Sequence, residues 1–306
     1  MTRSLTLLSV VAALISLLGA CDSGSGRAPD DRQEPVIVYA SYADETYLPA
    51  LLAGFTAETG IPVTVLHGAP AQIVDDVIAN RGSPPADILL TNNVADAWHA
   101  ADRGALRPIK AAGMEAVPTI LKDPDGLWVA FDVRYADIGM SSHIEPGRVK
   151  DYRDLANPDL RGQLCLSSSA LTVNRSLIAM LIEDLGVKPA ERLVRGWVRN
   201  LALSPFATED ELVTAVESGN CGYAIFSSSI ASDGIRRVVP DPRYFDVDAI
   251  GVARHARNPE PAHKLLDWAV KEKSLREPAS SNGRNIGLAG WRDEDAALLA
   301  ERAGYR

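Results

Sequence analysis

From residue 35 the apolar positions of the chain follow two alternating rhythms. The β-branched run PVIVYA (35–40) gives way to TYLPALLAGFTAETG (46–60), where Leu48, Leu51, Leu52 and Phe55 recur at i, i+3, i+4 and i+7 before Gly60. That spacing predicts a strand followed by an amphipathic helix with a glycine stop. PVTVL (62–66) predicts a second strand, and PAQIVDDVIANRG (70–82) a helix with Pro70 in its first turn and Gly82 past its end. DILLT (87–91) and VADAWHAADRG (94–104) repeat the pair. Strand–helix alternation with short connections predicts a parallel sheet covered by helices.

The middle of the chain resumes the same style. GQLCLS (162–167) predicts a strand and TVNRSLIAMLIEDLG (172–186) a helix, followed by PAERLVRGWVRNLA (189–202) with Leu193, Val194, Trp197, Val198 and Leu201 on one face. Thr208-Glu209-Asp210-Glu211 has the form of a capping box, a hydroxyl cap with Glu three residues on. YAIF (223–226) and AIGVA (249–253) read as strands, and PEPAHKLLDWAVKEKSLRE (259–277) as an amphipathic helix. No repeat of 20 to 50 residues is present. The layout predicts two α/β lobes, the second inserted in the first.

In an open parallel sheet, ligands sit beyond the carboxyl ends of the strands. Those ends carry Ser41-Tyr42, His67-Gly68, Asn92-Asn93, Ser167-Ser168-Ser169 and Ser227-Ser228-Ser229, a polar and hydroxyl-rich set. Each serine triplet is also an ordinary turn and cap composition.

The first twenty residues stand outside this pattern. MTRS is a short positive start, and LTLLSVVAALISLL an apolar run of 14 residues, too short for a membrane span but suited to a secretory signal over 1–20. Leu18-Gly19-Ala20-Cys21 resembles a bacterial lipobox. It implies a diacylglyceryl thioether on Cys21 and cleavage before it, with the bilayer as partner. Residues 21–34 lack large apolar side chains and read as a flexible tether. Export leaves Cys165 and Cys221 as an even pair in an oxidising compartment. They form either a disulfide, whose loop of about 57 residues contributes roughly 4 kcal/mol in the chain-entropy model, or two separate buried thiols.

Hydrophobic content of 46% and charged content of 23% are those of a globular protein with a sizeable core. The net charge of −9 argues against nucleic acid as partner. No G-x-S-x-G elbow, phosphate-binding G-x-x-x-x-G-K-[ST] loop or H-E-x-x-H helix occurs, and the five histidines lack metal-ligand spacing. An enzyme is not expected.

From about Pro35 to Trp291 the order of motifs resembles the periplasmic ferric-ion-binding proteins that serve ABC importers. The matching pieces are VYASY…LLAGFTAETGIPVTVLHG, SPPADILLTNNVADAWHAADRGALRPI, DPDGLWVAFDVRYADIGM, YRDLANPDLRGQLCLSSSALTVNRSLIAML, ELVTAVESGNCGYAIF and AIGVARHARNPEPAHKLLDWAV. The resemblance implies a two-lobed periplasmic binding protein (Venus-flytrap) fold of the α/β class with two crossover strands, near Phe131-Asp132 and Asp248–Ile250. Lobe 1 then comprises 35–131 plus 249–306, and lobe 2 comprises 132–248. The cysteines after RGQL and ESGN match a branch of the family, which supports the disulfide.

The family's paired tyrosines, which hold ferric iron, fall on Ser229 and Ile230 here. A further tyrosine falls on Met140, and the first-loop histidine falls near Ala43. What matches is the accompanying-anion site: Ser167, Ser168 and Ser169 ahead of the helix bearing Asn174, and Arg134 on the first crossover. With Tyr42, Asp44, Glu45, His67, Asn92, Asn93 and Ser227–Ser229, these are the expected ligand-binding residues. No cofactor is expected other than a possible bound ferric ion, with Tyr42 and Glu45 as candidate metal donors.

The expected function is that of a monomeric solute-binding lipoprotein on the periplasmic face of the inner membrane, delivering a small oxyanion-bearing solute to an ABC permease. The alternatives are ferric iron, bound with a synergistic anion or as a chelate, and a ligand-sensing lipoprotein that signals to a membrane partner.

Overall fold

The structure, a computed structural model, describes residues 34–41, 46–278 and 283–306. The unbroken apolar strand β1 (Val36–Ala40) is buried along its length. α1 (Tyr47–Thr59) follows, with Leu48, Leu52 and Phe55 as its buried face and Leu51 half-buried at the margin. Gly60 ends α1 at φ 73°, a left-handed conformation that costs little only without a Cβ. β2 (Val63–His67) and β3 (Ile88–Thr91) pair in parallel with the two edges of β1, and α2 (Pro70–Ala79) connects them. Asn93 caps α3 (Val94–Asp102), its side chain accepting from the Asp96 amide at 2.8 Å. The two-residue β4 (Leu106–Arg107) comes next.

β5 (Trp128–Ser141) is the longest strand. It is followed by β6 (Leu164–Leu166), α4 (Thr172–Leu185), α5 (Val187–Arg199) and α6 (Glu209–Glu217), then β7 (Tyr223–Ser227), β8 (Ile235–Val238) and β9 (Phe245–Ala253). The chain closes with α7 (Pro259–Lys273), α8 (Gly287–Trp291) and α9 (Asp293–Ala303). The strand order is β2-β1-β3-β9-β5-β7-β6, with β4 also on β9 and β8 also on β5.

β5 and β9 carry the chain between two halves of this sheet. Trp128–Ala130 of β5 pairs antiparallel with Gly251–Ala249 of β9, beside β3; Ala136–Met140 pairs with Ser227–Tyr223 of β7. The register slips between Ala130 and Asp132, a bulge at the crossover. β6 runs parallel to β7, and Cys165 on β6 is bonded to Cys221, 56 residues on and just ahead of β7. Both sulfurs lie in a small apolar cluster with Leu212, Val216 and Phe226, so the pair forms the bridge rather than two thiols.

One stretch differs from the sequence reading. β9 begins at Phe245, four residues before the apolar run AIGVA. At the end of the chain α7 packs on β5 and β9, α8 lies against α3 and α4, and α9 against α4 and α5. Tyr305 donates to the Ser167 carbonyl at 2.7 Å. α8 thus touches helices of both expected lobes, and α9 those of the expected lobe 2.

Candidate functional site

The crossover strands bring three charges together. Arg134 on β5 pairs with Asp248 on β9, donates to the Asn92 carbonyl and lies 3.7 Å from Asp246. Asp246 and Asp248 are both buried, sharing one face of β9 by the two-residue period of a strand. Asp246 accepts from the amides of Val94, at the start of α3, and Val247 at 3.1 and 2.8 Å. Burial pushes its carboxyl up to about 6, against the opposing pull of Arg134.

Beside this cluster is a cavity of about 230 Å³. One wall is the start of α4, Leu171–Val173, whose first-turn amides face away from helical acceptors. The other is Glu209 with Ser227 and Ser229, and Asn92 and Arg134 complete it. Ser227 donates its amide to Glu209 Oε1 at 2.5 Å, and the Ser227 and Ser229 hydroxyls are 2.8 Å apart. Burial raises the Glu209 pKa, with the Ser227 amide and Arg134 opposing.

The remaining expected residues are placed otherwise. Ser228 closes the end of the β5–β7 ladder: its amide donates to the Tyr135 carbonyl at 2.7 Å and its hydroxyl accepts from the Tyr135 amide at 2.9 Å. Ser167 Oγ accepts from Asn174 Nδ2 at 2.9 Å, and Ser168 Oγ accepts from the Ala170 amide at 3.2 Å. Ser169 Oγ donates to the Tyr305 carbonyl at 3.1 Å. The first triplet is thus a turn that docks the end of the chain, and it is the residues just after it that reach the cavity. Asn174, the third residue of α4, is buried against this turn.

Asn93 donates to Asn92 Oδ1 at 3.1 Å and Asp96 Oδ2 at 2.8 Å, while the Asn92 amide donates to Ser41 Oγ at 2.9 Å. His67 ends β2 with both ring nitrogens buried and without a hydrogen-bond partner among the described residues, away from this cavity. Tyr42, Asp44, Glu45 and Cys21 lie outside the described residues. Among the described residues no group of three or more His, Cys, Asp or Glu side chains could hold a metal ion. No described helix is long and apolar enough to cross a membrane.

Glu209, Asp246 and Asp248 are the residues the motifs did not single out. The capping-box reading of Thr208 and Glu211 passed over Glu209, which sits between them. For the two aspartates the signal was present: FDVDAI places two acids on one face of an apolar strand.

Two α/β halves joined by paired crossover strands, with a polar cavity beside the crossing, define a solute-binding protein of the two-lobed type. The chain belongs to the bacterial extracellular solute-binding protein family, whose model matches residues 36–275. It is 29% identical over 298 residues to Iron uptake protein A1 of Synechocystis sp., covering 90% of this chain and 82% of that protein. It is 25% identical over 191 residues to the Fe(3+)-binding periplasmic protein of Serratia marcescens, covering 60% and 54%. Among solved structures, the Trichodesmium protein (IdiA, FutA) in complex with iron and citrate ligands superposes with a TM-score of 0.80 at 25% identity, covering 89% of this chain and all of that one. The chain is related to ferric-iron-binding solute-binding proteins.

Proposed function

We propose that the protein is the receptor of an ABC importer for ferric iron, taken with an accompanying oxyanion or as a chelate. The carrying observation is the charge around Arg134. Its guanidinium is already matched by Asp246 and Asp248, and Glu209 adds a further carboxylate to the cavity wall. A bare anion entering the cavity would meet a cation that is not free. A metal with its own anion suits the site better: the Glu209 carboxylate and the Ser229 hydroxyl on one wall, and on the other the α4 amides for the oxyanion. Relatives named for iron uptake and Fe(3+) binding, and a structural neighbour holding iron and citrate, support the same reading. Tyr42 and Glu45 of the first loop are the proposed additional metal donors.

The proposed lobes are 35–131 with 249–306, and 132–248, closing about β5 and β9, with α9 reaching across to α4 and α5. Ligand shifts the closed population by its differential affinity for that state, and the closed form delivers to an inner-membrane permease. The second reading, an iron-free oxyanion-bearing solute, is favoured by the hydroxyls of Ser227 and Ser229 and by the serine at the family's tyrosine position. Native mass spectrometry and elemental analysis of protein purified without refolding, followed by titration with ferric citrate, separate the two. Co-purifying iron and saturable ferric citrate binding are expected; an iron-free organic anion with no response to ferric citrate decides for the second reading.

A further inference from the structure

We propose that Glu209 is the anionic oxygen donor of this cavity, the side chain that meets the metal of a ferric chelate. The inference rests on the ferric-iron reading above and gives Glu209 the role of metal donor on the side of the cavity where the family's paired tyrosines would stand. A hard trivalent cation selects anionic oxygen over neutral hydroxyl. The phenolates that the family resemblance would supply fall on Ser229 and Ile230, so the charge must come from elsewhere. Among the described residues lining the cavity, Glu209 is the one carboxylate, and it lines the cavity with Ser229, one of the two positions on which the phenolates fall.

Its position is not explained by helix capping. The cap of α6 is complete without it, because Thr208 Oγ1 accepts from the Glu211 amide and Glu211 Oε2 accepts from the Thr208 amide, each at 3.3 Å. Glu209 is half-buried, and one oxygen accepts from the Ser227 amide at 2.5 Å. An ionised carboxylate has acceptor room for about three further contacts. Burial opposes this charge, and the Ser227 amide and the field of Arg134 offset only part of that cost, so a cation at the carboxylate would be stabilising. Arg134, the nearby cation, is committed to the two aspartates of β9. The Ser227 bond also fixes the carboxylate on the last residue of β7, so the donor is held on a strand end rather than on a loose loop.

Glu209→Gln tests this. Glutamine keeps an acceptor for the Ser227 amide but loses the charge, so the melting temperature of the full chain is expected to stay the same or rise. Ferric citrate affinity, followed by intrinsic fluorescence and calorimetry, is expected to fall by more than the ~100-fold that an outer partner of a metal site costs. Gallium citrate, a redox-inert probe, should lose as much, and metal-free citrate should not lose affinity. Glu209→Asp, which restores the charge one methylene short, should recover part of the loss. An unchanged ferric citrate affinity in Glu209→Gln, or an equal loss for metal-free citrate, overturns the assignment while leaving the iron reading intact. A wild-type chain that binds no ferric citrate overturns both.

Discussion

Arg134 is enclosed by Asp248, Asp246 and the Asn92 carbonyl, and that enclosure decides what its removal does. Arg134→Ala leaves two buried carboxylates without their cation, a change that costs about 3–5 kcal/mol. Asp246 is the more sensitive partner, since burial has already pushed it up to about 6 from 3.8. The folded state therefore binds this proton more tightly than the unfolded state. The resulting stability is fully present below pH ~4 and is lost as pH rises through ~6, by up to about 3 kcal/mol. Asp246→Asn keeps an oxygen for the Val94 and Val247 amides. It is expected to raise stability at neutral pH and to flatten that slope. It should also offset part of the Arg134→Ala loss in the double variant. Urea midpoints of the four proteins between pH 4 and 7 check all three outcomes; a slope unaltered by Asp246→Asn rules out this carboxylate as its source. Arg134 could be picked from the sequence as a charged crossover residue. Its partners could not be picked with the same ease, because they lie on a strand over a hundred residues later and only the antiparallel register of β5 on β9 makes them face it.

Elements with a strong local signal were legible: the amphipathic α1, Pro70 at the start of α2, and the capping box of α6, whose Thr208 and Glu211 bonds both form. β5 was not, beyond its crossover, because its 14 residues mix charged and apolar positions as it passes from one half of the sheet to the other. β9 was shortened for the same reason, its first half carrying Asp246 and Asp248. The serine triplets show the limit of composition as a guide. Ser227 and Ser229 line the cavity, whereas Ser228 is used by the β5–β7 ladder and Ser167–Ser169 by a turn and by Tyr305. The Cys165–Cys221 bond ties β6 to a point two residues before β7, stapling adjacent parallel strands under α6. Removing such a bridge costs about 2–5 kcal/mol. Protein taken directly from the cell is expected to show no alkylatable thiol at either position when denatured without reductant, and its melting temperature should fall on reduction. Two reactive thiols under those conditions exclude the bridge in the mature chain.

At the scale of the whole molecule, capture and delivery place a requirement on position. A receptor that hands its ligand to a membrane permease gains from being held near the bilayer, since tethering replaces a bulk encounter with a local one. Residues 21–34 separate Cys21 from the first described strand; fully extended, such a stretch reaches at most about 50 Å. If Cys21 is acylated, a stretch of that length would let the folded part range over the membrane surface. Acylation is the proposed anchor. A single acyl chain gives only marginal binding, whereas two or more, at about 0.8 kcal/mol per buried methylene, hold durably. Cys21→Ser removes the thioether while leaving the preceding apolar run and the folded part untouched. The variant is expected to lose labelling by a fatty-acid analogue and to fail processing before residue 21. The folded part should keep its ferric citrate affinity, because the cavity lies on β5, β7, α4 and α6. A variant with unchanged mature mass and unchanged membrane fractionation would refute acylation at Cys21, and the protein would then reach its permease by diffusion.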